Sequence, residues 1–132
     1  MTYLIPYFSI LLPLILLDAL WILILAKNFY AEHMGFLFTK TVNLVPIAVF
    51  YPLYTFGILF LVILPATTSA SWQTALWRGA LLGLMAYGAY DLTNHATIAN
   101  WPLIMTLVDI FWGVTVTSLT SIIAYFLITS LK

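Results

Sequence analysis

The sequence has no cysteine, which excludes a disulfide scaffold and any cysteine-ligated metal or haem site. It is also poor in charge: 6% of its 132 residues are Asp, Glu, Lys or Arg, with four acids balancing four bases. An ordinary soluble domain carries about 25% charged residues, so this chain cannot clothe a globule in polar surface. A basic nucleic-acid binder and a disordered acidic tail are excluded on the same ground. No phosphate-binding glycine loop, nucleophile elbow or zinc-protease motif is present. Nothing implies a cofactor, a nucleic-acid partner or a metal site. What remains is 64% hydrophobic, and water is not its main solvent.

A bilayer core about 30 Å thick is crossed by about 20 apolar helical residues. Four stretches reach that length, about 4–26, 44–65, 75–95 and 102–128. Hydrocarbon offers the backbone no partner, so each is expected to be helical. The fold class is therefore all-α, an integral membrane four-helix transmembrane bundle forming one domain over 1–132. An even number of spans puts both termini on one face (N), with the connection 66–74. The connections 27–43 and 94–101 lie on the other face (M). The first stretch lacks a basic leader and holds Asp18, so it does not read as a cleaved signal. Arg78 and Lys132 on face N balance Lys27 and Lys40 on face M, so orientation rests on a tie under the positive-inside rule. Cytoplasmic termini are the working expectation.

Pro46 suits the first turn of the second span. Pro13 and Pro52 fall deeper and are expected to kink their helices, freeing the carbonyls of Ser9 and Ala48. Ala75, Gly79 and Gly83 form a small-residue stripe for close helix packing. Tyr3, Tyr7, Tyr30, Trp72, Trp77 and Trp101 sit near expected ends, where amphipathic rings favour headgroups. The hydroxyl run Thr115, Thr117, Ser118, Thr120 and Ser121 is expected to bond its own helix or to pack against neighbours.

Three of the four acids, Asp18, Asp91 and Asp109, lie inside spans, where one carboxylate costs about 3 kcal/mol on insertion scales. At ~1.5 Å per residue they fall ~12, ~6 and ~10 Å below face M, so three helices bring acids to one half of the membrane. Trp21, Asn94 and Trp112 follow them at i+3. His95 and Tyr87 flank Asp91 at i+4 and i−4, all on shared helix faces. Asn43, Tyr51 and Tyr54 of the second span complete a candidate polar, aromatic pocket open to face M, with His95 expected to bond Asp91. The competing reading is structural, with carboxyls bonded to indole, phenol or proline-freed carbonyls holding the helices in register. Glu32 and His33 read as interfacial. The Asp-Ala-Leu-Trp at 18–21 and Asp-Ile-Phe-Trp at 109–112 hint at an inverted repeat of the kind found in transporters.

The string Tyr90-Asp91-Leu92-Thr93-Asn94, with Ala96-Thr97 and Trp101-Pro102, resembles the signature of a bacterial family of small inner-membrane proteins, a domain of unknown function. Phe50-Tyr51-Pro52-Leu53-Tyr54, Gly79-Ala80-Leu81-Leu82-Gly83, and Asp109 with Trp112-Gly113 fit the same pattern across essentially the whole chain. The resemblance implies four spans in a bacterial cytoplasmic membrane and no settled activity. Three functions fit the residues. The acidic pocket could bind or process a small amphipathic or lipid-like molecule. It could serve a proton- or cation-coupled transporter, as a homo-oligomer. It could also pair with cations of a partner in a larger membrane complex.

Overall fold

The computed structural model describes residues 2–132 and is all-helical there. Helix α1 (Leu4–Leu20) runs into a π-helical turn, Trp21–Leu25, and α2 (Lys27–Met34) into a short 3-10 turn, Gly35–Leu37. Helix α3 (Leu44–Ile58), a second π turn at Leu59–Ile63 and α4 (Leu64–Thr68) form one continuous rod. Helices α5 (Trp72–Thr97) and α6 (Leu103–Ser130) complete the chain.

Among the described residues three segments, Leu4–Leu25, Leu44–Thr68 and Leu103–Ser130, are long and apolar enough to cross a membrane. The fourth expected span corresponds to α5, whose 26 residues are long enough. Arg78, Asp91, Asn94 and His95 lower its hydropathy, so composition alone does not mark it. The connection expected at 27–43 is not all loop, because α2 occupies its first half. There Tyr30 and Met34, one turn apart, share a side and both line one cleft.

Helix α6 is the hub. Half of its most apolar window is buried, against 22% for α1, and its contact with α5 is the most extensive in the molecule. The small-residue stripe explains that contact. A Cβ on Gly83 would strike the Gly113 carbonyl oxygen and stand 2.9 Å from Thr117 Oγ1. On Gly79 it would stand 2.8 Å from Ser121 Oγ. Ile10, Leu14, Ile58, Val62, Ile63, Val116 and Ala124 fill the core. Outward lie large apolar side chains such as Leu16 (69% exposed) and Phe111 (67%), a surface that suits lipid and not water. Leu4 and Phe8 of α1 share a groove with Leu127 of α6 and Leu131 just beyond it, so the described ends of the chain lie together.

Pro13 and Pro52 sit inside helices that continue past them. Pro65 has the clearer consequence: it brings no N–H to the Leu61 carbonyl four residues earlier. Arg78 supplies one instead, donating from Nη1 at 3.0 Å. Of the hydroxyl run, Thr115, Ser118 and Ser121 bond carbonyls four residues back. Thr117 instead meets the Tyr54 hydroxyl at 2.7 Å.

Candidate functional site

Helices α1 and α6 pack through an aromatic pair. The Trp21 and Trp112 rings stack with centroids 4.5 Å apart and planes 5° from parallel. The hydrogen bonds around them cross between helices. Trp112 Nε1–H donates to Asp18 at 2.9 Å, although Trp112 follows Asp109 in sequence. Trp21 Nε1–H donates to the Tyr30 hydroxyl at 2.9 Å, which in turn donates to Asp109 at 2.7 Å. The i+3 spacing thus places each indole to serve the acid of the opposite helix, one directly and one through a phenol. Asp18 also accepts from the Tyr51 hydroxyl, tying α1 to both α3 and α6. For Asp18 the structural role is filled.

Tyr30 is the residue that sequence reasoning assigned elsewhere, to the headgroup belt. Burial first, and then the Asp109 carboxylate, push its phenol pKa up, so it remains a donor to that carboxylate. The signal was the i, i+4 repeat of Phe29 with His33 and Tyr30 with Met34, which marks 27–34 as a helix with a packed side.

Asp91 differs from the other two acids. It is 0% exposed, and neither carboxyl oxygen has a hydrogen-bond donor among the described residues. The nearest acid acting on it is another carboxyl, Asp109. Asp109 faces outward from this pair into an open cleft of about 280 Å³, walled by Trp21, Trp112, Tyr30, Tyr87, Tyr90 and Phe38 and reached also by Asp18. A second recess of about 270 Å³ lies against Phe50 and Ala86 and shares Tyr87, Tyr90 and Asp109 with the first. Tyr87 is seated by Gly113, where any Cβ would collide with the Tyr87 ring.

Several expected members lie elsewhere. His95 does not bond Asp91: its Nδ1 meets Thr106 Oγ1 at 3.1 Å, and Trp101 Nε1–H donates to the same oxygen at 3.0 Å. Thr106 on the first turn of α6 offers the ring a nearer partner than a carboxyl one turn back along its own helix. Trp101 is consequently buried, at 7% exposure, against Met34 and Met105. Asn43 caps α3, accepting from Val45 N–H at 3.1 Å. Asn94 is half-buried and gives Asp91 no bond. Tyr54 is spent on Thr117. Glu32 is exposed, and His33 meets the Phe29 carbonyl. Among the described residues no group of three metal-ligating side chains forms.

Residues 3–126 match the family model described as "Predicted membrane protein (DUF2177)", and the chain belongs to that family. No curated protein and no solved structure is detectably similar to it.

Proposed function

We propose that this DUF2177 protein is a four-helix transmembrane bundle of the bacterial inner membrane. In this reading the Asp91–Asp109 pair binds or processes the polar head of a small amphipathic, lipid-like molecule whose apolar body lies along the aromatic cleft. Helix α5 completes the bundle: 26 residues rise ~39 Å, more than a bilayer core. Its costliest group, Asp91, is turned wholly inward. An even number of spans leaves both termini on one side, taken as cytoplasmic.

The observation that carries the reading is Asp91, a fully buried carboxyl with no donor. Such a group costs about 1–3 kcal/mol or more, and structural acids avoid the cost as Asp18 does, by recruiting Tyr51 and Trp112. Asp91 lines neither cleft, so a cationic head would meet Asp109 directly and act on Asp91 through its charge. The nearness of two acids supports a second reading, in which ligand entry is coupled to proton movement.

Hexylammonium, with hexanol as the neutral control, tests this on purified protein through the fluorescence of the stacked tryptophans. The amine should produce a saturable change that hexanol does not, and Asp109→Asn should abolish it. Asparagine keeps an acceptor for Tyr30 and removes the charge. No saturable response, or an equal one in the variant, would refute a site at this pair. Proton uptake or release on amine binding separates coupling from simple binding.

A further inference from the structure

The opposite end of α5 carries a different chemistry. Arg78 lies six residues after Trp72, ~9 Å along the helix. Its Nη1 holds the Leu61 carbonyl at 3.0 Å, its guanidinium carbon stands 5.0 Å from the Trp77 ring centroid, and its Nε is buried with no partner among the described residues. No acid is near in sequence: on its own helix Asp91 is 13 residues on, ~20 Å away. Asp18, Glu32 and Asp109 belong to the Asp91 end of the molecule. A groove of about 200 Å³ starts at Arg78 and Trp77 and runs past Leu61, Leu81, Leu82 and Met85. The α5 members recur every four residues, so they form one stripe, ~10 Å long and apolar beyond the guanidinium.

We infer that this face is a binding site for an anionic phospholipid, its phosphate on Arg78 and one acyl chain along the Leu81–Met85 stripe. The bond to Leu61 anchors the guanidinium and Nε is buried, leaving the remaining hydrogens of the terminal nitrogens for a phosphate. Trp77, half-exposed beside it, suits the headgroup level. The uncompensated positive charge selects a net-negative head over a zwitterionic one. A free anion would not need the apolar stripe, so the occupant is a lipid. The site is independent of the Asp91 cluster and stands or falls separately.

The test titrates the purified protein in dodecylmaltoside with phosphatidylglycerol or with phosphatidylcholine of the same chains and counts retained lipid by native mass spectrometry. One phosphatidylglycerol should be retained at a concentration at least tenfold below that needed for phosphatidylcholine. Arg78→Gln should erase the preference, Arg78→Lys should keep part of it, and Leu81→Trp, which fills the stripe with the charge intact, should reduce retention of both lipids. Equal retention of the two lipids by the wild type would overturn the site, as would a preference that survives Arg78→Gln. If Arg78→Gln does not fold, unchanged retention in Leu81→Trp overturns it alone.

Discussion

Replacing Trp112 by Phe isolates the bond that joins α6 to Asp18. The indole is buried, 7% exposed, and its N–H donates at 2.9 Å to a carboxylate. A bond to a charged acceptor contributes about 1.5–3 kcal/mol in water-soluble proteins. Polar side-chain bonds within membranes average nearer 0.6 kcal/mol, so about 1–2 kcal/mol is the working figure. Shrinking indole to phenyl adds about 1 kcal/mol for the void, while part of the stack on Trp21 survives. Trp112→Phe should therefore cost about 2–3 kcal/mol. Trp21→Phe removes a bond to a neutral phenol and should cost about 1–2 kcal/mol. Unfolding in dodecylmaltoside titrated with sodium dodecyl sulfate, followed by helical circular dichroism, measures both. In an Asp18→Asn background the Trp112→Phe penalty should fall by about 1 kcal/mol, because the acceptor is no longer charged. Either tryptophan variant should also lose the exciton couplet of the stacked pair. A Trp112→Phe cost below that of Trp21→Phe, or one unchanged by Asp18→Asn, would refute the crossed-bond account.

Three further outcomes are expected from the same unfolding assay. Gly83→Ala should destabilise by about 1–3 kcal/mol or more, because its Cβ meets the Gly113 backbone. Gly57→Ala, with nothing within 4 Å, should gain about 0.5–1 kcal/mol; equal effects would remove the close-packing argument. Ala70 holds φ at 49° in the turn after α4, where Ser71 N–H bonds the Ala66 carbonyl. Ala70→Gly should stabilise by about 1 kcal/mol, and a loss would contradict the strain. Thr106→Val should cost about 1–3 kcal/mol by orphaning Trp101 Nε1, whereas Thr106→Ser should restore most of it.

The helical class, the apolar lengths, the glycine stripe and the convergence of Asp18, Asp91 and Asp109 were all legible, because hydrophobic length and helical rise are properties of one segment at a time. Helix α5 was legible by length, but its own polar residues dilute its hydropathy, so it is not among the three segments apolar enough to cross a membrane. What stayed hidden depends on pairs of segments. The i+3 tryptophans marked the right residues, but only the antiparallel packing of α1 on α6 reveals that each serves the other helix's acid. The bonds of Tyr30 to Trp21 and Asp109 were hidden because a ring near a span end shows no partner until α2 folds it inward. His95 was drawn to Asp91 by i+4 spacing and is captured by Thr106, which sequence separation hides. The two π turns have no local signature in the apolar run, although Pro65 does foretell the freed Leu61 carbonyl.

The central claim is that Asp91 and Asp109 hold the polar head of a small molecule. Native mass spectrometry of the protein, extracted gently from its own membrane, tests it most directly, with wild type run beside Asp109→Asn and Arg78→Gln. The account predicts a discrete non-phospholipid mass that vanishes in Asp109→Asn and persists in Arg78→Gln. A bare chain in all three, or a bound mass indifferent to Asp109, would contradict it.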